Sequence, residues 1–210
     1  MADEGLQLED GGRSRSAVSL DEVNDALARF GTRVWPLDLT HVTGEQRRLL
    51  DRVQLTDAEV TSLRDAFLLS RARLLELITG AGREPRVANG GDLATVDVTH
   101  DVHYPELYPV APGIDYSRFD RLHVNRAEDG SGVDETLQML AGRGVRVVQS
   151  LPDVGMLTLF LDCPSPDQGW TVSYSGAQPH IASFTDASAG SKILMQIIGP
   201  ARWNMEYVDT

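Results

Sequence analysis

Short runs of β-branched, aromatic and aliphatic residues, separated by turn residues, fill the second half of the chain, and this spacing restricts the fold more than any other feature. Glycine, proline, aspartate and serine interrupt these runs at intervals that are too short for helices. Many short strands at such a spacing are typical of a β-sandwich or a small barrel. We therefore predict a mainly β fold with strands over residues 95–98, 118–124, 135–140, 144–149, 157–161, 170–174, 180–184 and 192–198.

The first half of the chain carries helix signals instead. Ser19 and Glu22 have the spacing of a capping box, in which each side chain bonds a backbone N–H of the first helical turn. Thr56 and Glu59 repeat that pattern, and the apolar residues after them recur at helical spacing, which predicts one longer helix. The predicted organisation is a disordered tail over residues 1–18, a helical N-terminal region over 19–90 that packs on the barrel, and a barrel over 91–210.

Charge and composition narrow the classes of partner. The 210 residues carry a formal net charge of -12, and no basic stripe interrupts the acidic balance. Because phosphate groups are bound by basic patches, we expect neither nucleic acid nor a membrane as a partner. We see no apolar run of the length that a signal peptide or a membrane span requires, so we expect a cytoplasmic protein with a small-molecule substrate. The sequence is compatible with a homodimer.

Four polar residues stand where strands can bring them together. His123 and Asn125 lie two residues apart, so on a strand their side chains share a face. Glu135 opens the next predicted strand, and His180 follows a Gly-x-x-Pro turn and opens a later one. Imidazole and carboxylate groups that face one cavity are suitable ligands for a divalent transition metal.

A second pair of histidines precedes the barrel. His100 and His103 lie in the segment THDVHYPELY, three residues apart. On a strand this separation would point their side chains to opposite faces, which argues against a shared metal. We consider them as candidates for a catalytic general base instead.

The segments HVN, DETLQMLAGRG, GWTVSYSGAQPH and KILMQIIGPARW, in this order, resemble the two cupin motifs of the acireductone dioxygenase family. The resemblance implies a cupin fold, which is a double-stranded β-helix or jelly-roll barrel, with an N-terminal helical layer. It also implies one divalent transition metal, with Fe(II) favoured and Ni(II) as the alternative. By this resemblance His123, Glu135 and His180 are metal ligands, and Asn125 stands where the family has another histidine.

This chain departs from the family pattern in three ways. Asn125 offers a weaker, harder donor than an imidazole. An inserted segment, residues 126–133, makes Asp129 an alternative to Glu135, which we prefer because it keeps register with the glycines that follow. At two positions where the family has arginine, this chain has Leu137 and Gln196. The positive charges that would bind an anionic enediolate are therefore missing. The third departure argues against acireductone itself as the substrate.

The resemblance and its departures together lead to a functional prediction. We expect a metal-dependent cupin oxygenase that combines dioxygen with a small enediol, diketone or hydroxy-ketone, as a divergent member in specialised metabolism. Two alternatives stay open. One is a cupin enzyme that consumes no oxygen, such as an isomerase, a cyclase or a decarboxylase, and the other is a cupin that binds a small molecule without turnover.

Overall fold

The computed structural model describes residues 5–16, 19–85, 92–93, 104–114, 120–185, 188–200 and 202–208. The helices in this part of the chain are α1 (Leu20–Leu27), α2 (Gly44–Leu50), α3 (Asp57–Phe67) and α4 (Arg71–Gly80). The strands are β1 (Leu6–Asp10), β2 (Arg13–Ser16), β3 (Arg33–Pro36), β4 (Asp92–Leu93), β5 (Glu106–Pro109), β6 (His123–Arg126), β7 (Asp134–Ala141), β8 (Val145–Leu151), β9 (Gly155–Leu161), β10 (Trp170–Ser175), β11 (His180–Phe184), β12 (Lys192–Gly199) and β13 (Asn204–Tyr207).

The strands form two antiparallel sheets that share one apolar core. The first sheet has the order β13-β6-β11-β8-β9-β1-β2 and the second has the order β3-β10-β7-β12-β4, with β5 also pairing with β12. Leu137 and Met139 of the second sheet pack in one buried cluster with Val147 and Leu159 of the first. Inward and outward residues alternate along each strand, so the sheets face each other and enclose the interior of a barrel.

Helices α2, α3 and α4 cover the outer face of the second sheet. Leu63 and Phe67 of α3 pack on Leu140 and Leu194, which point away from the barrel interior. The Gln138 amide also points outward and donates to the carbonyl of Phe67 over 2.7 Å. These three helices therefore form a layer on one side of the barrel, whereas Val23 and Leu27 of α1 join the apolar core that the two sheets share.

Six of the predicted strands, from residues 135–140 to 192–198, are present, with ends that agree to within two residues. The predicted strand over 118–124 is shifted, because β6 runs from His123 to Arg126. The predicted strand over 95–98 lies outside the described residues. Strands β5 and β13, each of four residues, have no counterpart among the predicted strands.

The prediction of a disordered tail over residues 1–18 is wrong for β1 and β2. β1 pairs with β9 in antiparallel register and with β2 on its other side. Leu6 and Leu8 are buried in the barrel core, while Gln7 between them is exposed. The segment is ordered because an alternating strand of only five residues gains its stability from the sheet it joins, which the local sequence does not reveal.

The single long helix predicted after Thr56 is two helices. The chain leaves α3 at Leu68 with extended backbone, and Ser70 caps the start of α4 by accepting from the Arg73 N–H. Gln196, on β12, bonds both backbone groups of Leu69, at 2.9 Å to its N–H and 3.1 Å to its carbonyl. Side chains from the sheet thus satisfy the backbone groups that the break in the helix frees.

Within the described residues, no helix has the length and apolar character needed to span a membrane.

Candidate active site

Two pairs of directly opposed residues, one pair from each sheet, define the site. In the first sheet His123 on β6 lies opposite His180 on β11. In the second sheet Glu135 on β7 lies opposite Tyr174 on β10. Side chains at opposed positions of an antiparallel pair project to the same face, so both pairs project into the barrel interior.

His123, His180 and Glu135 line one cavity. His123, Asn125, Glu135 and His180 all contribute to its wall, so the structure brings together the four residues that the sequence proposed as ligands. Its volume, taken as the space open to the centre of a water molecule, is about 40 Å³, which is room for a few water molecules. The rest of the wall is largely aromatic and aliphatic, from Tyr104, Tyr108, Ala182, Ser183, Phe184, Ile193, Met195, Trp203 and Met205.

The two imidazoles are oriented in the same way by the backbone. His123 Nδ1 lies 2.8 Å from the carbonyl oxygen of Arg121, and His180 Nδ1 lies 2.8 Å from that of Gln178. A carbonyl oxygen can only accept, so each Nδ1 carries a proton and donates it. The ring centroids are 4.3 Å apart. The backbone therefore fixes the orientation of both rings. Each Nε2 is left as the nitrogen that can bind a metal or exchange a proton, as in many metal-binding histidines.

Glu135 is the acceptor at the centre of the site. Its Oε1 receives a hydrogen bond from Asn125 Nδ2 at 2.6 Å, and its Oε2 receives one from the Tyr174 hydroxyl at 2.9 Å. His180 Nε2 makes an ion-pair contact with Oε1 at 3.1 Å. Burial acts to raise the pKa of Glu135, but His180, His123 and Asn125 together outweigh it and hold the pKa at about 2. The carboxylate is therefore ionised although it is buried.

The charge of Glu135 also shifts the pKa values of the two side chains that contact it, His180 and Tyr174. Burial acts to lower the pKa of His180, yet the Glu135 charge and hydrogen bond raise it above its ordinary value. Burial, followed by the same carboxylate charge, raises the pKa of Tyr174 well above its ordinary range, so its hydroxyl stays protonated and donates. Glu135 thus favours the protonated form of both neighbours, the His180 imidazole and the Tyr174 hydroxyl.

The structure favours Glu135 over Asp129 as the carboxylate of the site. Asp129 lies in an exposed turn, where its Oδ1 accepts from the Ser131 N–H at 2.9 Å. The two positions at which the family motif has arginine carry side chains that point in different directions. Leu137 lies in the barrel core, whereas Gln196 faces α3 and α4 through its bonds to Leu69.

His100 and His103, the candidates for a general base, lie outside the described residues, and that role stays a prediction. Tyr174 was missed by the sequence reasoning, although it sits in the GWTVSYSG strand that suggested the site. The signal was available in principle, because a strand that pairs with β7 places one of its residues opposite Glu135. Finding it required the register, which the local sequence does not contain.

The donor chemistry of the cavity fits a divalent transition metal. Two Nε2 atoms, one carboxylate and an amide carbonyl form a mixed nitrogen and oxygen set. The carbonyl oxygen of Asn125 is buried and has no hydrogen-bond partner in the described part of the protein, as expected of an atom reserved for a ligand. Across those same residues, however, no three His, Cys, Asp or Glu side chains are gathered as a metal-binding cluster. Glu135 is engaged instead by its three hydrogen-bonding and ionic partners.

Comparison with known proteins bears on the fold. No family model and no curated protein sequence matches the chain. Among solved structures, an acireductone dioxygenase from Bacillus anthracis with a cadmium ion in its active centre has a similar structure, with a TM-score of 0.60 over 99% of each chain at 13% sequence identity. At this identity the likeness shows the fold, so the predicted mainly β cupin barrel, similar to that of acireductone dioxygenase, is confirmed.

Proposed function

We propose that the protein is a metal-dependent cupin oxygenase that acts with dioxygen on a small enediol, diketone or hydroxy-ketone. In this proposal His123, Glu135 and His180 hold one divalent transition metal, Fe(II) in preference to Ni(II), and Asn125 Oδ1 is a further donor. The observation that carries the proposal is the matched orientation of the two imidazoles, whose Nδ1 atoms both donate to backbone carbonyls. The cadmium ion in the active centre of the structurally similar dioxygenase supports a divalent metal in this protein.

The residues of this chain have definable roles in such a reaction. When bound, the metal supplies Lewis-acid and redox chemistry towards dioxygen and the oxygen atoms of the substrate. Tyr174 donates to Glu135 Oε2 and thereby fixes the orientation of the carboxylate. The aromatic and aliphatic wall gives the substrate largely apolar surroundings. His100 or His103 would remove a substrate proton as the general base.

Metal content tests the proposal directly. The protein is purified without an affinity tag and analysed for bound metals beside His180→Ala and a control, His41→Ala, which removes a histidine bound to the Ala66 carbonyl outside the cavity. We expect close to one transition-metal ion per chain in the wild type and the control, and little in His180→Ala. Metal-loaded protein is then screened for oxygen uptake with enediols and diketones. Wild-type protein that neither carries nor takes up a metal would rule out the oxygenase.

One observation favours a second candidate function. The buried pair of Glu135 and His180, with Tyr174 bonded to the same carboxylate, can hold and move a proton without a metal. Such a site suits a cupin isomerase, cyclase or decarboxylase. Turnover under anaerobic conditions that is unchanged by chelators would select this candidate, whereas ligand binding without turnover would select a non-catalytic binding protein.

A further inference from the structure

In the described structure, the wall of the cavity contains no lysine or arginine side chain. Glu135 lies in the same wall, where its two carboxylate oxygens contact Asn125, Tyr174 and His180. A substrate carboxylate would give up its hydration here, close to the Glu135 carboxylate and without a bond to lysine or arginine, which disfavours its binding.

Trp203 offers the hydrogen bond that the charged groups do not. The residue lines the cavity and is 3% exposed, and its Nε1 has no acceptor among the described residues. An indole N–H can only donate, and a buried donor without an acceptor is costly. Trp203 Nε1 is therefore a donor in the cavity wall that can recognise a substrate oxygen.

Packing holds the Trp203 ring independently of that hydrogen bond. The ring shares a small apolar cluster with Val133 and Ile197, and its centroid lies 6.0 Å from that of Tyr104. These contacts fix the position of the ring through its apolar surface. The N–H is therefore held in place before any ligand arrives, which lowers the entropy lost when it donates to one.

We infer that Trp203 is a specificity-determining residue, whose Nε1–H donates to a carbonyl oxygen of an uncharged dicarbonyl or hydroxy-ketone, and that the site discriminates against carboxylates. The inference rests on the proposed function only for treating this cavity as the substrate site. The inferred substrate is a neutral molecule, and the hydrogen bond from Trp203 Nε1 is the contact that favours it over a carboxylate.

Two probes of equal size test the inference. Butane-2,3-dione and pyruvate each have six non-hydrogen atoms and differ in that one carries a methyl ketone where the other carries a carboxylate. Their affinities are measured by ligand-detected NMR titration on the protein as purified and after treatment with a chelator. In the chelated protein, where the side chains alone discriminate, we expect butane-2,3-dione to bind about tenfold more tightly than pyruvate.

Trp203→Phe isolates the donor, because phenylalanine keeps an aromatic ring and removes the N–H. We expect it to weaken the binding of butane-2,3-dione about 5- to 10-fold in both forms of the protein, which is the size of one net hydrogen bond. Ile197→Val loosens the packing around the ring but keeps the N–H, so it should change the affinity less than twofold. Trp35→Phe, outside the cavity, serves as the control for the loss of an indole.

The outcomes separate this inference from the proposed function. Equal affinity for the two probes in the chelated protein, binding of neither, or an unchanged affinity in Trp203→Phe would overturn the inference. A loss in Ile197→Val as large as that in Trp203→Phe would also overturn it, because packing would then explain both. Trp203 is not a proposed ligand, so the metal content of Trp203→Phe should equal that of the wild type. A metal-free wild type would refute the metal proposal and leave the probe result standing.

Discussion

Asn125 donates its amide N–H to Glu135 Oε1 over 2.6 Å, inside the cavity and between two sheets that the fold brings face to face. The acireductone dioxygenase motif has a histidine at this position, and the asparagine here serves the carboxylate in a different way. Its nitrogen stabilises the ionised form of Glu135, while its oxygen remains without a partner in the described structure. Asn125 thus supplies a hydrogen bond to Glu135 and keeps a buried carbonyl oxygen that no described residue bonds.

Asn125→Asp should destabilise the metal-free protein by about 3–5 kcal/mol at pH 7, because it replaces a donor with a second buried carboxylate beside Glu135. The loss should be smaller at pH 5, where the new carboxyl group can take up a proton and donate again. Urea unfolding at the two pH values measures the effect. Asn204→Asp, on the partly exposed strand β13, is the control and should change stability by less than about 0.5 kcal/mol. A pH-independent loss would contradict this explanation.

Gly176→Ala should destabilise the protein by about 2–3 kcal/mol through overpacking. A β-carbon at Gly176 would lie 2.7 Å from Val133 Cγ2, with Glu135 Oε1 closer still. The substitution therefore displaces the carboxylate as well as straining the turn that precedes His180. Gly44→Ala is the matched control, because a β-carbon there meets no atom within 4 Å. Chemical denaturation of both variants checks the prediction. Equal stability of the two would show that the turn rearranges to accommodate the methyl group without loss of unfolding free energy.

Leu8→Ala should cost about 2–5 kcal/mol of unfolding free energy, as for other large-to-small changes in a core. Leu8 lies opposite Leu159 in the pairing of β1 with β9, and its side chain is buried in the barrel core. Gln7→Ala changes the exposed neighbour on the same strand and should alter stability by less than about 0.5 kcal/mol. Thermal and urea unfolding distinguish the two variants. A Leu8→Ala protein as stable as the wild type would show that β1 adds nothing to the core.

Lys192 is fully buried and donates through Nζ to the carbonyls of Leu50, Arg52 and Gly190 at 2.7 to 2.8 Å. Replacing it with methionine leaves these carbonyls without their donor, so Lys192→Met should destabilise the protein by about 1–3 kcal/mol at pH 7. Urea unfolding measures the loss. Arg48→Met, an exposed change on the α2 helix, is the control.

The same pair of proteins gives a pH test. Burial lowers the pKa of Lys192 from 10.5 to about 8. Between these values the unfolded chain keeps a proton that the folded protein has lost, so the stability contributed by Lys192 rises with pH. The difference in unfolding free energy between wild type and Lys192→Met should therefore widen from pH 8 to pH 10. A difference that narrows over this range would mean that the folded protein keeps the proton.

Much of the local structure could be predicted from the sequence, because its signals act over a few residues. The capping box at Ser19 and Glu22 forms as expected, and so does the one at Thr56 and Glu59. The strands from β7 to β12 follow from alternation and turn residues. The order of the cupin motifs led to the barrel and to the four polar residues around the cavity, since spacing along a strand decides which side chains share a face.

Pairing across the barrel was decided only by the tertiary structure. Strand β1 looks like a polar tail until it is placed beside β9, and the break between α3 and α4 is stabilised by glutamines that come from the sheet. The same is true of the site, where Tyr174 meets Glu135 through strand register. These contacts join residues far apart in the chain, so their energies depend on strand order and register, which no local pattern of residues encodes.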